Sequence, residues 1–255
     1  MPLNDYKTAL VTGASSGIGA VTVRVLTGRG MTVHALARRE DRLKDLADAT
    51  GCIPLALDLR DRDAIHDRLG ALDVDVVVGN AGVGRGFDGL LNASPEDIDI
   101  TFETNVQALV HVLRAILPGM IGRQRGHVVN IGSVAGLYPI SSVIYGGSKG
   151  AVHLINQNLR IELGGTGVRA TEICPGRVAT EFFEAAVDDP EKAAAIGTTS
   201  ITELQPEDIA DAVLFALDAP WRVNVSMIEL QPTEQTFGGV VFAPTAAAAA
   251  SAPRR

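Results

Sequence analysis

Short runs of apolar and β-branched residues alternate with longer amphipathic stretches along most of the 255-residue chain. Strands that alternate with helices favour βαβ units, and runs as apolar as residues 74–79 are typical of a sheet covered on both faces. The pattern therefore predicts an α/β fold with a doubly wound parallel sheet of about seven strands and helices on both faces. The predicted strands are Thr8–Val11, Thr32–Ala37, Ile53–Leu57, Val74–Gly79, His127–Ile131, Val168–Ile173 and Ser226–Leu230. Helices are predicted near 17–29, 40–49, 61–70, 95–117, 145–163 and 206–217.

A glycine-rich turn follows the first predicted strand directly and opens the first helical stretch. It reads TGASSGIG over residues 12–19. Glycines here permit a tight turn and let the backbone approach a pyrophosphate at a helix N-terminus, where N–H groups and the helix dipole favour anions. In this strand–turn–helix context the motif predicts a Rossmann-type, dinucleotide-binding sheet. The candidate cofactor-binding residues of the turn are Gly13, Ser15, Ser16, Gly17, Ile18 and Gly19.

The residues after the second predicted strand favour NADP over NAD. NAD-binding chains usually place an acid about 20 residues after the glycine turn, where it binds the ribose hydroxyl. Arg38 and Arg39 occupy that place here. A guanidinium binds phosphate through charge-assisted hydrogen bonds, which suits the 2′-phosphate of NADP. The alternative is that the two arginines pair with Glu40 and Asp41 at a solvent-exposed helix end.

Tyr145 and Lys149 are four residues apart at the start of a predicted helix, so they share one face of it. An ammonium near a phenol favours the phenolate, so the spacing predicts that the pKa of Tyr145 falls from ~10 toward neutral pH. Such a tyrosine exchanges a proton with an alcohol oxygen. Taken alone the pair is a weak signal, because these two residues often occur at this spacing by chance.

Taken together, the motifs resemble those of the short-chain dehydrogenase/reductase family of single-domain NAD(P)-dependent oxidoreductases. They occur in the family's order across residues 8–182, and Ser133 lies twelve residues before Tyr145, which is the family spacing. The elements are TGASSGIG at 12–19, Asp58-Leu59, Asn80-Ala81-Gly82, Asn105, Ser133, Tyr145 with Lys149, and Pro175-Gly176 followed by Thr180. The agreement of so many independent elements identifies the chain as a member of this family.

The resemblance implies a catalytic set of four residues. Tyr145 would be the general acid/base, and Lys149 would lower its pKa and hold the nicotinamide ribose. Ser133 would bind the substrate oxygen, and Asn105 would position a water in a proton relay behind Lys149. The structural alternative for Asn105 is a cap or kink in the long helix.

The resemblance also implies cofactor contacts outside the glycine turn. Asp58 and Leu59 would contact the adenine, and the Asn-Ala-Gly motif would line the adenosine ribose. The segment 175–180 would enclose the nicotinamide carboxamide. The alternative for the start of that segment is a turn that only ends a strand. These cofactor-binding candidates are Asp58, Leu59, Asn80, Ala81, Gly82, Pro175, Gly176, Val178 and Thr180.

The C-terminal third narrows the expected substrate. Residues 117–120, 126–133 and 221–239 are similar to those of NADP-dependent 3-hydroxy acid and serine dehydrogenases, a branch that includes sulfoacetaldehyde reductases. Substrates of that branch carry a carboxylate or sulfonate, so a cation is expected in the pocket, with Arg177 or Arg85 as candidates. The alternative is that Arg177 contacts the cofactor diphosphate or the surface. Phe182 and Phe183 either close over the pocket or pack in a short helix.

The expected function is NADP-dependent hydride transfer between nicotinamide and the carbonyl or alcohol of a small, anionic substrate. The alternative within enzymes is a broad carbonyl or 3-oxoacyl reductase for neutral substrates. Two alternatives from other classes are an inactive, cofactor-sensing binding module and a structural protein with an incidental glycine turn.

Composition excludes several other classes of protein. Hydrophobic residues make up 46% of the chain and charged residues 20%, which is incompatible with a disordered chain. Lys and Arg number 22 against 30 Asp and Glu, so a nucleic-acid partner is not expected.

No apolar run approaches the ~18 residues of a membrane span, and residues 1–7 lack a secretory pattern, which predicts a cytoplasmic protein. Cys52 and Cys174 are expected as core thiols, and the histidines form no spaced metal-ligand set.

Domain organisation and assembly are also predicted. The chain shows neither internal repeats nor a Pro/Gly/Ser-rich linker, so residues 1–242 are expected to form one NADP-binding domain with its own substrate pocket. The Ala-rich residues 243–255 are predicted to be a flexible tail. The family resemblance implies a homotetramer built through the helices near 95–117 and 145–163 and the last strand.

Overall fold

The computed structural model describes residues 3–87, 89–186 and 197–236. A short 3₁₀ helix (Leu3–Asp5) precedes the first strand. The strands are β1 Thr8–Thr12, β2 Thr32–Ala37, β3 Ile53–Ala56, β4 Val76–Gly79, β5 Gly126–Ile131, β6 Val168–Pro175 and β7 Met227–Leu230. The α-helices are α1 Gly17–Gly28, α2 Glu40–Thr50, α3 Arg62–Leu69, α4 Pro95–Phe102, α5 Ala108–Gly122, α6 Val134–Leu137, α7 Val143–Glu162, α8 Phe182–Ala186 and α9 Pro206–Asp218.

The seven strands form one parallel sheet in the order β3-β2-β1-β4-β5-β6-β7. The chain moves outward from β1 through β2 to β3 and then returns to the other side of β1. The strand order therefore reverses between β1 and β4, and a crevice opens there at the carboxyl ends of the strands. This confirms the predicted single-domain, Rossmann-type parallel sheet.

Side chains that alternate along the strands fill a core on each face of the sheet. Val11 and Val78 pack with α1, α2 and α9 on one face, whereas Leu10 and Val77 pack with α3, α5 and α7 on the other. Both faces are buried, which is why these strands are continuous apolar runs. Each fully buried Leu or Ile stabilises the fold by about 1.5–3 kcal/mol relative to exposure. Cys52 and Cys174 are free thiols and both are buried.

Helix boundaries follow local capping signals, with one difference in the middle of the chain. The Ser94 hydroxyl accepts a hydrogen bond from the Asp97 backbone N–H over 3.0 Å, and Pro95 occupies the first turn of α4. The helix predicted over 95–117 is instead two helices joined by a π-helical turn, Glu103–Gln107, and α5 continues to Gly122. The side-chain period does not reveal the inserted residue of a π turn, because the apolar pattern continues on both sides of it.

The tail predicted at 243–255 lies outside the described residues, and so do the last three residues of the segment 221–239 used in the substrate argument. Among the described helices, none combines the length and the apolar character needed to cross a bilayer.

Candidate active site and cofactor cleft

The glycine turn brings the N-terminus of α1 close to the end of β1. Gly13 and Gly17 have φ values of +66° and +50°, in the left-handed region that favours glycine. A methyl group at Gly19 would lie 2.6 Å from Asn80 Nδ2 and closer still to the carbonyl oxygen of Gly13. The turn therefore leaves the first N–H groups of α1 facing the crevice, as expected for a pyrophosphate site.

Asn80 links the ends of β1 and β4 at the crevice by hydrogen bonds. Its Nδ2 donates hydrogen bonds to the carbonyls of Thr12 over 2.9 Å and Gly13 over 3.3 Å. The backbone N–H groups of Asn80 and Ala81 both donate to the Thr12 hydroxyl over 3.0 Å. The Asn-Ala-Gly motif is therefore part of the wall of the cleft, and Gly82 continues it toward Asn105 and Lys149.

Arg39 lies against the glycine turn. Its Nε donates to the Ser15 hydroxyl over 3.1 Å and its Nη2 donates to the Ser16 hydroxyl over 2.7 Å. Glu181 completes this cluster, 3.4 Å from Arg39 and 2.7 Å from Arg42. The partners of Arg39 are thus the turn and Glu181 rather than Glu40 and Asp41, the alternative considered from the sequence.

The adenine end of the predicted cleft carries a second arginine. The Arg60 guanidinium donates three hydrogen bonds to the Asp58 carboxylate, the shortest of them 2.8 Å, and the Arg60 backbone N–H donates a fourth over 3.0 Å. The hydrogen bond from Arg60, with further help from Arg38, holds the pKa of Asp58 below its usual value. Leu59, next to it, is buried in the core. Arg38 is exposed, directly after β2.

Ser133, Tyr145 and Lys149 meet where β5 ends and α7 begins. Ser133 follows β5 and caps α6, with its hydroxyl accepting a hydrogen bond from Ala135 N–H over 3.1 Å. Ser142 caps α7, which places Tyr145 in the first turn of the helix and Lys149 in the second. Ser133 lies close enough to Tyr145 to act on the pKa of its phenol, and Nζ of Lys149 donates to the carbonyl of Ile131 over 2.9 Å.

The predicted lowering of the pKa of Tyr145 is wrong for this structure. Burial raises it to about 12, and the hydrogen bond with Ser133 only partly opposes the burial. The Lys149 ammonium is directed at Ile131, and burial lowers the pKa of Lys149 itself to about 8. The phenol is therefore neutral here and can donate its proton.

Asn105 lies within the π turn and links three parts of the site. Its Oδ1 accepts from Val83 N–H over 2.8 Å, and its Nδ2 donates to the Val83 carbonyl over 2.8 Å and to the Ser148 hydroxyl over 2.9 Å. A cavity of about 10 Å³ lies beside Asn105 and Lys149. That volume is close to the minimum for one water molecule.

The segment after β6 borders the glycine turn. Gly176 N–H donates to the Leu230 carbonyl over 2.7 Å, and Val178 pairs with Leu204. The methyl group of Thr180 would be 3.2 Å from a Cβ at Gly17. Pro175 belongs to β6 and pairs with Leu230. The predicted carboxamide-binding segment therefore lies at the mouth of the cleft.

Arg177 and Arg85 occupy different surroundings. Nε of Arg177 donates to Glu203 Oε1 over 2.7 Å, its Nη2 donates to the Gly197 carbonyl, and its guanidinium lies 3.9 Å from the centre of the Phe183 ring. Arg85 is half-buried in the loop after the Asn-Ala-Gly motif.

Aromatic rings cover Tyr145. The Tyr145 ring centre lies 5.3 Å from that of Phe182 and 5.7 Å from that of Phe87. Phe183 joins the cluster at 5.7 Å from Phe87. Phe87 was not predicted from the sequence, because a single aromatic residue in a loop has no period or motif that marks it. Glu203 was not predicted either, because its role depends on contact with a distant segment.

Within the described ranges, no group of three or more metal-ligating side chains comes together. The residues that do converge are the glycine turn, Asn80, Arg39 and the Ser133, Tyr145 and Lys149 set. They place a proton-donating phenol beside a cleft built for a dinucleotide.

The chain matches the family model described as short chain dehydrogenase over residues 7–191. It belongs to the short-chain dehydrogenase family, an oxidoreductase family, as the sequence motifs indicated.

Particular relatives agree with the expected branch. The chain is 39% identical over 240 residues to the NADP-dependent 3-hydroxy acid dehydrogenase YdfG of Salmonella typhi, covering 91% of this chain and 97% of that one. The protein of that name from Escherichia coli strain K12 is 38% identical over the same length, with 91% and 97% covered. The solved closed form of serine dehydrogenase complexed with NADP+ is similar, with a TM-score of 0.87 and 36% identity, covering 93% of this chain and all (100%) of that one.

Proposed function

We propose that this chain is an NADP-dependent oxidoreductase that transfers hydride between nicotinamide and the carbonyl or alcohol carbon of a small substrate. The observation that carries the proposal is the position of Tyr145, next to Ser133 and one helical turn before Lys149 in α7. The relatives named for 3-hydroxy acid and serine oxidation support the same reaction class.

The residues present suit a bound dinucleotide. The close approach at Gly19 leaves the N-terminus of α1 open to a pyrophosphate, and a Cβ at Gly82 would lie only 3.5 Å from Nζ of Lys149. Arg39, fixed by Ser15 and Ser16, would bind the 2′-phosphate of NADP. The remaining candidates for cofactor contact are Asp58, Asn80, Ala81 and the segment 175–180.

When bound, NADPH would supply the hydride in reduction and NADP+ would accept it in oxidation. Tyr145 gives its proton to the substrate oxygen in reduction and takes it back in oxidation. Ser133 holds the same oxygen by hydrogen bonding. The ammonium of Lys149 stabilises the phenolate that remains after proton transfer, and the water-sized cavity beside Asn105 and Lys149 offers a path for replacing the proton.

The proposed substrate is a small anion: a 3-hydroxy acid, a serine-like molecule, or the sulfoacetaldehyde/isethionate pair. Arg85 and Arg177 are the candidate anchors for its carboxylate or sulfonate. The relatives named as 3-hydroxy acid dehydrogenases support the first of these substrates.

A second candidate is a reductase of neutral carbonyl or 3-oxoacyl compounds. Two observations favour it: Arg177 is paired with Glu203, and the rings of Phe87 and Phe182 form an apolar wall against Tyr145. An inactive, cofactor-sensing module is the remaining alternative, and the retention of all four catalytic side chains argues against it.

The test is the initial rate of NADPH formation from NADP with serine, 3-hydroxypropionate, 2-hydroxyethanesulfonate and neutral alcohols of matched length. We expect turnover of at least one anion and a loss of about a hundredfold or more in Tyr145→Phe. Turnover of neutral alcohols alone would select the second candidate. Binding of NADPH without any turnover would select the inactive module.

Assembly and location are part of the proposal. Exposed apolar side chains lie on α7 at Val143, Leu154 and Ile161 and on α5 at Val110 and Ile121. Exposed apolar side chains on these helices would be covered in an assembly, and we propose a homotetramer located in the cytoplasm. Light scattering coupled to size exclusion tests it, with a mass near four chains of 26.7 kDa expected and a monomer contradicting it.

A further inference from the structure

A buried carboxylate lies directly behind the catalytic side chains, and the proposed reaction does not use it. Glu172, in β6, has a side chain that is only 1% exposed. Its Oε2 lies 2.7 Å from Nδ1 of His153, and its Oε1 has no hydrogen-bond partner among the described residues. Burying an ionised carboxylate with so few partners is costly. The carboxylate is therefore a candidate for a role in the site.

Glu172 supports the end of β5 that carries Ser133. Asn130 and Glu172 are register partners in β5 and β6, and two residues later Gly132 lies under the carboxylate. A Cβ at Gly132 would lie 3.0 Å from Cδ of Glu172 and closer still to Oε1, so only glycine leaves room for this contact. Nζ of Lys149 donates to the carbonyl of the preceding residue, Ile131. The carboxylate of Glu172 thus packs against Gly132, and the ammonium of Lys149 is hydrogen-bonded to the residue before it.

The same face of α7 supplies both the catalytic ammonium and the partner of the carboxylate. Lys149 and His153 are four residues apart, so they project from one side of the helix. His153 keeps contact with solvent through a side chain that is 22% exposed, and its Nε2 lies 2.6 Å from Nε2 of Gln157. The ammonium, imidazole and carboxylate are therefore placed together by one helix and the end of the sheet.

The titratable groups around Glu172 come from every element packed there. His153 contacts it from α7, one turn after Lys149 in the same helix. Cys174 follows it in β6, and Glu229 is the register partner of Cys174 in β7, where it accepts a hydrogen bond from Tyr138. Burial lowers the pKa of Lys149, and negative charge at Cys174 or Glu172 opposes that lowering. Burial and Glu172 both raise the pKa of the Cys174 thiol, so the thiol is neutral. Glu172 is then the group that supplies negative charge near Lys149.

We propose that Glu172 is a positioning residue of this site: its buried carboxylate, oriented by His153, stabilises the ammonium of Lys149 and supports the strand end that presents Ser133. The catalytic consequence rests on the proposed function, because it requires Lys149 to act as a cation beside Tyr145. The electrostatic coupling of Glu172 to Lys149 is a property of the protein alone.

The first test uses the full chain without ligand. The chain contains four lysines, so ¹³C-labelling of the lysine side chains gives a simple spectrum in which Lys149→Met assigns the buried one. We expect Lys149 to titrate near pH 8 and Glu172→Gln to lower its midpoint by about one pH unit, a tenfold loss of proton affinity. An unchanged midpoint would mean that Glu172 is uncharged or uncoupled, and would overturn the proposal.

Glu229→Gln is the matched control, since it removes a carboxylate from the neighbouring strand. It should leave the Lys149 midpoint unchanged, and an equal shift in this variant would show a general field effect and contradict the specific role of Glu172. If Glu172→Gln does not fold, Glu172→Asp takes its place. Glu172→Asp keeps the negative charge but moves it away from Lys149 by the length of one methylene group. A Lys149 midpoint that falls by a few tenths of a pH unit supports the proposal, and an unchanged midpoint overturns it.

The second test separates this proposal from the proposed function. The alkaline limb of the kcat/KM profile should move to lower pH in Glu172→Gln by the same amount as the Lys149 midpoint, and Glu172→Asp should restore most of it. Wild-type turnover with a shifted Lys149 midpoint but an unmoved profile would contradict the catalytic part of the inference. Absence of turnover in the wild type would overturn the proposed function and leave the titration as the test of the coupling.

Discussion

Arg177 donates a hydrogen bond from Nε to Oε1 of Glu203 over 2.7 Å, so this candidate anchor for a substrate anion already has a carboxylate partner. The side chains of Arg177 and Glu203 are only 11% and 18% exposed, so the ion pair is largely buried and also supports the local structure. A substrate anion would have to compete with Glu203 for the guanidinium. Arg177 therefore contributes to substrate binding only as far as the guanidinium binds the substrate anion more favourably than it binds Glu203.

The first prediction concerns the anchor for the substrate anion. Arg177→Ala and Arg85→Ala are to be compared, and in one of them the KM for 3-hydroxypropionate should rise at least about tenfold, because a charge-assisted hydrogen bond is worth about 1.5–3 kcal/mol. The KM for a neutral alcohol of the same length is the control and should change less than about threefold. Unchanged KM values for the anion in both variants would exclude both arginines and favour neutral substrates.

The second prediction concerns cofactor choice. Arg39→Ala should weaken NADPH binding by about 10- to 100-fold and NADH binding by less than about threefold, because only NADPH carries the phosphate that the guanidinium can bind. Fluorescence titration of the two reduced cofactors measures both values. Arg42→Ala, which removes the neighbouring partner of Glu181, is the control. Equal weakening of both cofactors in Arg39→Ala would contradict the role in phosphate recognition.

The third prediction concerns the close approach at the glycine turn. Gly19→Ala should lower stability by about 1–3 kcal/mol and weaken NADPH binding, because its methyl group would meet backbone and amide atoms of Gly13 and Asn80. Gly28→Ala lies in the same helix, where the added methyl has open space around it, and should be neutral or stabilising by up to ~1 kcal/mol. Urea denaturation measures both; equal effects would contradict the steric argument.

The fourth prediction concerns acid stability. Asp75 is buried and accepts hydrogen bonds from Lys7 N–H over 2.7 Å, Thr8 N–H over 3.2 Å and Arg125 over 2.8 Å. Burial acts to raise the pKa of Asp75, but these partners outweigh it and the pKa is lowered. A carboxyl with a lowered folded-state pKa stabilises the fold above its unfolded pKa, and that contribution is lost as the pH falls through the folded value.

Asp75→Asn should therefore cost about 2–3 kcal/mol of unfolding free energy at pH 7 and less near pH 3. Urea denaturation at the two pH values measures the difference. Asp73→Asn is the control, because Asp73 is an exposed carboxylate paired with Arg123 and its loss should cost less than about 1 kcal/mol. A cost for Asp75→Asn that does not depend on pH would contradict the ionic contribution.

The sequence alone predicted the order and type of the elements that form the cleft. Alternation of apolar strands with amphipathic helices is a local pattern, and the glycine turn, the Ser94 cap and the Tyr145–Lys149 spacing are each contained within a few residues. Such patterns depend on backbone geometry near the residue itself, so they can be read without knowing the neighbours. The π turn around Asn105 was missed, because one inserted residue leaves the apolar pattern intact.

Only the tertiary structure decided which side chains meet and what their charges do. Arg177 reaches Glu203 across 26 residues of sequence, Arg39 reaches Ser16 across 23, and Glu172 reaches His153 across 19. The predicted lowering of the pKa of Tyr145 failed for the same reason, since the burial that raises it comes from a fold that the helical spacing does not specify. Sequence spacing determines which face of an element a side chain occupies, whereas its partner and its solvation depend on how distant elements pack.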